Sequence, residues 1–173
     1  MIDVPELDRQ VLRQRHHDLG GFQYLASSTE KAAVGWWEWA ALPDFGISPL
    51  RVKIDTGART SALHVHHLLV EDRRDGHWAK FAVSPRRKHR RGAIACEARI
   101  RDLRMVKNSS GRQERRAVIA TTIVLGSRRW PIEITLADRS RMEFRMILGR
   151  SALRIGRLLV DPARSALGGP PTG

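Results

Sequence analysis

Apolar and polar positions alternate with a period near two along most of this chain, and sustained helical periodicity is scarce. The segment Trp36–Leu42 reads as a strand, closed by the turn Pro43-Asp44-Phe45-Gly46. Leu50–Ile54 is a second strand and leads into Asp55-Thr56-Gly57-Ala58. Ala62–Val70 continues as one strand with His64, His66 and Leu68 on the same face. Trp78–Val83 alternates cleanly, and Ile94–Val106 reads as a strand pair or one long bent strand. Lys107-Asn108-Ser109-Ser110-Gly111 is a turn, because these residue types satisfy their own backbone or tolerate positive φ. Ala117–Leu125, Trp130–Leu136 and Met142–Leu148 follow as strands. Ser151–Ile155 fits one short helical turn, and Leu158–Val160 a last strand. Many short strands at near-regular spacing predict an all-β fold, a small closed barrel.

The pattern divides the chain into three parts. Residues 1–33 form an N-terminal arm, either a short helix over Pro5–Asp18 ended by Gly20-Gly21 or a poorly ordered terminus. Residues 34–167 carry the barrel, and residues 168–173, rich in Gly and Pro, form a flexible tail. No internal repeat is present, and Asp-Thr-Gly occurs once.

Charge changes the picture of the partners, not of the fold. Lys plus Arg number 31 against 18 acidic residues, a formal net charge of +13 in 173 residues. Such a field favours polyanions: nucleic acid, anionic lipid or an acidic protein segment. The densest run is Pro85-Arg86-Arg87-Lys88-His89-Arg90-Arg91, a solvated basic loop or a docking element. Cys96 is the sole cysteine, so no internal disulfide can form and a reducing, cytoplasmic setting is expected. No stretch approaches the roughly 20 apolar residues that span a membrane, so no membrane partner is expected.

The chemistry centres on Asp55. A carboxylate presented on a Thr-Gly turn after a buried strand suits acid/base work, and Gly57 admits backbone angles that a bulkier residue resists. Much later, Met146-Ile147-Leu148-Gly149-Arg150 repeats the theme of an apolar run ending in Gly. Zinc is weakly supported. His64 and His66 sit two apart and would share a strand face, with His67 or Cys96 as an imagined third ligand, but the same spacing suits a solvated strand edge. There is no His-Glu-x-x-His, and no Gly-x-x-x-x-Gly-Lys-Ser/Thr loop for ATP. No cofactor is expected.

The segment Lys53-Ile54-Asp55-Thr56-Gly57-Ala58-Arg59-Thr60-Ser61-Ala62-Leu63-His64 resembles the signature of bacterial and archaeal retropepsin-like aspartic proteases, widely labelled "ATP-dependent zinc protease". The likeness extends through Asn108–Arg116, Ile119–Thr122, Trp130–Leu136, Asp138–Met142, Met146–Arg150 and Val160-Asp161-Pro162. It implies an acid-protease barrel, with the Asp-Thr-Gly loop beneath a hairpin flap drawn from Cys96–Val118. Aspartic-protease chemistry needs two carboxylates, and this chain supplies one. A C2 homodimer pairing Asp55 with its symmetry mate is therefore expected, Thr56 bracing the two loops and Gly57 admitting the substrate backbone. Ala58, Arg59 and Arg150 are the expected substrate-binding residues.

One departure from the retroviral pattern stands out: Arg59 occupies a position that is usually acidic and pairs with the arginine of the Gly-Arg motif. Arg150 then has Glu133, Asp138 or Asp161 as alternative partners, while Arg59 points to solvent or binds carboxylates of an acidic substrate. Members of the family are associated with ATP-grasp ligases that add glutamates to a ribosomal protein. The resemblance thus implies a peptidase acting on a peptide, or glutamyl, bond of an acidic or ribosome-associated protein. A non-catalytic module binding RNA or an acidic tail is the alternative, and a zinc hydrolase the third.

Overall fold

The computed structural model describes residues 30–85, 92–107, 111 and 113–170. The helix expected over Pro5–Asp18, the basic run Arg86–Arg91 and residues Asn108–Ser110 of the expected turn lie outside them.

Among the described residues, eleven strands run in chain order: β1 (Ala32–Val34), β2 (Trp37–Leu42), β3 (Ile47–Asp55), β4 (Ser61–His64), β5 (His66–Arg73), β6 (Gly76–Val83), β7 (Ile94–Lys107), β8 (Gln113–Leu125), β9 (Arg128–Ala137), β10 (Met146–Gly149) and β11 (Leu158–Val160). The one α-helix among the described residues, α1 (Arg150–Ile155), follows β10 directly. Hydrogen bonding runs β2-β3-β10-β4-β9-β8, and Ala41 of β2 pairs with Val124 of β8, which closes the ring. The fold is all-β, as the alternation predicts. From β8 the sheet continues outward through β7 and β6 to β5. A separate parallel pair, β1 with β11, joins the two ends of the described chain.

Inward residues from every ring strand meet in one core. Leu42, Leu50, Leu63, Ile119, Ile134, Leu136, Met146 and Leu148 are all essentially excluded from solvent. Each such side chain contributes about 1.5–3 kcal/mol relative to exposure, so the ring is held mainly by burial. The outward positions of β3 (Arg51, Lys53) and β2 (Trp37, Trp39) stay at least partly exposed, which is the period-two rule in operation.

Two segments depart from the sequence pattern. The strand expected over Ala62–Val70 is broken after His64: β4 belongs to the barrel, β5 to the outer wing, and His67 takes a left-handed φ of 53° at the bulge between β5 and β6. The expected strand over Met142–Leu148 is ordered as a strand only from Met146, because residues 138–145 form a loop that folds back on β4. Ile94–Lys107 is one strand, with a register shift between Ile100 and Asp102 that reverses which face its residues present.

Residues 161–169 are held in place. Glu38, fully buried on β2, accepts hydrogen bonds from the amides of Gly35 (2.7 Å), Leu167 (3.0 Å) and Gly168 (3.1 Å). A carboxylate ringed by amide donors substitutes for the water it has lost.

Candidate active site

Asp55 ends β3, where Gly149↔Asp55 is the last rung of the parallel β3–β10 pairing. Its Oδ1 accepts from the backbone amides of Gly57 and Ala58, each at 3.0 Å. The loop is thereby wound around one oxygen of its own carboxylate, in the manner of an Asx turn. Gly57 earns its place by space rather than by dihedral angle: it has no positive φ, and a Cβ there would lie 3.3 Å from Asp55 Oδ1. Asp55 is half-buried, and Thr56 and Gly57 are exposed.

The run Leu148-Gly149-Arg150 supports this loop from below. The Arg150 guanidinium donates through Nη1 to the carbonyls of Thr56 (3.2 Å) and Gly57 (3.0 Å). The Arg150 amide donates to Ala58 O at 2.8 Å, and the Ser151 amide to Arg59 O at 3.1 Å. Gly149 has a steric reason: a Cβ would sit 2.6 Å from the Thr60 carbonyl carbon. Of the partners open to Arg150 from sequence, Glu133 instead binds Arg104, and Arg150 takes main-chain oxygens of the Asp55 loop.

Arg59 is exposed and borders a cavity of about 320 Å³ together with Thr60, Arg104, Glu133, Ser151 and Ile155. Arg104 is held by Asp102 and Glu133. Among the described residues no carboxylate lies within ion-pair distance of Arg59.

Sequence reasoning missed Arg139. This half-buried arginine follows β9, and its side chain donates to Phe144 O. Burial and the Arg116 guanidinium of β8 hold its pKa below the usual arginine range, while Asp55 acts in the opposite direction. Arg139 therefore lies within the electrostatic reach of both the catalytic loop and the β7–β8 hairpin. Its backbone amide donates to His64 Nδ1 at 2.8 Å. No local signal marks this link, because the partners are 75 residues apart.

Among the described residues, His64 and His66 are not joined by a third ligand placed for a zinc centre. His64 is 2% exposed, its Nδ1 is used by the Arg139 amide, and its ring stands edge-on to His66 at 4.4 Å. Among the described residues no group of three His, Cys, Asp or Glu is placed to hold a metal ion. Burial first, then Arg145 and His66, push the His64 pKa down to about 4. Burial raises the Cys96 thiol to about 11, which keeps it protonated and inert near neutrality. No helix of the described residues is long and apolar enough to cross a membrane.

Three comparisons bear on this site. Chains named probable alpha-L-glutamate ligase are 39% identical over 83% of this chain in Desulfotalea psychrophila and 42% over 79% in Parasynechococcus marenigrum. This chain spans only about 30% of their length, 31% and 29% respectively. A crystal structure of a Legionella pneumophila protein of unknown function superposes with a TM-score of 0.64 at 26% identity, covering 80% of this chain and 99% of that one. The family model described as retropepsin-like aspartic endopeptidase RimB matches residues 33–170. With its Asp-Thr-Gly loop buttressed by the Gly-Arg strand end of a closed barrel, the chain belongs to the RimB-like family of retropepsin-like aspartic endopeptidases.

Proposed function

We propose that the protein is a homodimeric aspartic peptidase that hydrolyses a peptide bond, α- or γ-glutamyl, in an acidic protein tail such as that of a ribosomal protein. The observation that carries this reading is the state of Asp55. One oxygen is clasped by two amides, on a loop braced by Arg150, at an exposed edge of the barrel. A carboxylate fixed in that way has its second oxygen for a water molecule shared with the partner subunit's Asp55. Two carboxylates about 3 Å apart hold one proton between them. The ionised one takes a proton from the water as it attacks the carbonyl carbon, and the protonated one donates to the carbonyl oxygen. Collapse of the tetrahedral intermediate returns a proton to the leaving amine. Thr56, exposed in the single chain, braces the paired loops, and the β7–β8 hairpin serves as the flap.

Substrate acidity is read from Arg59, whose exposed guanidinium beside the catalytic loop has no acid of its own among the described residues. Glutamate side chains would satisfy it. The ligase name carried by the longer relatives supports a glutamate-rich substrate, since a segment like this chain lies within proteins named for adding glutamate.

The test is cleavage of a glutamate-extended peptide by the full-length protein. Asp55→Asn should lower the rate at least about 10²–10⁴-fold, the scale of acid/base catalysis. The fold should persist, because the Asn oxygen can still accept from Gly57 and Ala58. Undiminished cleavage by that variant would remove Asp55 from the mechanism.

A further inference from the structure

The outer face of β2 and β3 carries a stripe that the peptidase site does not use. Trp37 stands opposite Lys53, and Trp39 opposite Arg51. The Arg51 guanidinium lies 4.4 Å from the Trp37 ring centre and 4.9 Å from that of Phe144. Trp39 meets Trp37 edge-on at 5.5 Å, and Trp36, 40% exposed, meets Phe144 at 5.8 Å. Beside the stack opens a cavity of about 420 Å³, lined by Trp39, Arg51, Phe144, Arg145 and two prolines, Pro49 and Pro85, with Glu143 as the one acid.

Two cations of this face, Arg51 and Lys53, are exposed, and among the described residues neither has an acidic partner. In sequence Pro85 is followed at once by Arg86-Arg87-Lys88-His89-Arg90-Arg91, and the whole chain carries +13. Cations beside aromatic rings are what a single strand of nucleic acid requires: phosphates meet the cations, and bases stack on rings and on a planar guanidinium. An acidic peptide would use the cations and leave the rings idle. A duplex keeps its base faces buried in its own stack and could not enter the cavity.

We propose that the Trp37–Trp39–Arg51–Lys53 face, with its adjoining cavity, binds a single-stranded nucleic acid. A base enters the cavity against Trp39 and Arg51, and flanking phosphates lie along Arg51 and Lys53. The face lies on the same strand as Asp55, Lys53 coming two residues before it, but the proposed binding uses neither Asp55 nor Arg59.

Fluorescence anisotropy of the full-length protein with labelled oligouridylate and oligothymidylate tests this across a salt series. Saturable binding should weaken steeply with salt and quench tryptophan fluorescence. Trp39→Leu and Arg51→Gln should each weaken binding about tenfold. Arg51→Lys, which keeps charge but not the planar stack, should restore it only in part. Thermal unfolding of each variant checks the fold, and Arg51→Gln at an exposed position carries the test if Trp39→Leu does not fold. Unchanged affinity in both variants would overturn the proposal, placing any binding elsewhere, such as on the 86–91 run. So would absence of binding at low salt, or capture of polyglutamate but not of the oligonucleotides.

Discussion

Asp55 and Arg59 stand four residues apart in sequence, and under the proposed function they divide the work of the site between chemistry and recognition. Asp55 is fixed by amides of its own loop, an arrangement local enough for Asp-Thr-Gly-Ala to reveal it. Arg59 departs from the retroviral pattern and has no acid on it among the described residues, the observation from which the proposed function reads an acidic substrate. Arg59→Gln should raise KM for a glutamate-rich peptide about tenfold, the scale of a charge-assisted hydrogen bond, with kcat little changed. Steady-state kinetics with acidic and neutral peptides of equal length separate this from a general loss of activity. His64 makes a different prediction. Its folded pKa of about 4 is below its ordinary 6.5, so the unfolded chain binds the proton more readily. Stability from this residue is full above pH 6.5, is lost as pH falls from there toward 4, and changes no further below that. Urea midpoints measured across that window should fall, and His64→Gln should flatten this part of the profile. Neither His64's partner nor the buried Glu38 could be read from sequence. The His64 contact lies 75 residues away, and two of the three amides on Glu38 lie about 130 residues away, so little in the local sequence distinguishes them from surface residues.

At the scale of elements, the catalytic loop depends on the junction of β10 and α1. Gly149 lets the 58–60 segment pass within a carbon's width, and the first amides of α1 take its carbonyls. Gly149→Ala would push a Cβ into the Thr60 carbonyl and displace the loop bearing Asp55. It should destabilise the protein by about 1–3 kcal/mol, the usual range for overpacking. It should also depress peptidase activity by more than that stability loss explains, as denaturant titration and kinetics on one preparation would show. Most strands were legible because each keeps one buried and one wetter face. The exceptions have physical causes. The break between β4 and β5 needs only one residue, Val65, and leaves the apolar pattern continuous across it. The 138–145 loop carries Met142 and Phe144, apolar residues that mimic a strand, yet Phe144 packs on Trp36 and Arg51.

For the whole molecule, closure of β2 onto β8 completes a barrel that presents Asp55 at one edge. Under the proposed mechanism one subunit would hold half of an aspartic dyad, so activity would belong to the assembly. The charge of +13 serves two faces in this account: it draws acidic substrate toward Arg59, and a single-stranded nucleic acid toward the tryptophan stripe. Composition announces an anionic partner but not where it binds. That depends on which arginines lack acids, and only the fold decides it. The most direct measurement is an experimental structure of the assembled protein, read for the separation of the two Asp55 carboxylates across a twofold axis. The account predicts about 3 Å between their nearest oxygens, under hairpins that cover a shared cleft. An active protein that is monomeric, or that holds these carboxylates too far apart to share a water, would contradict it.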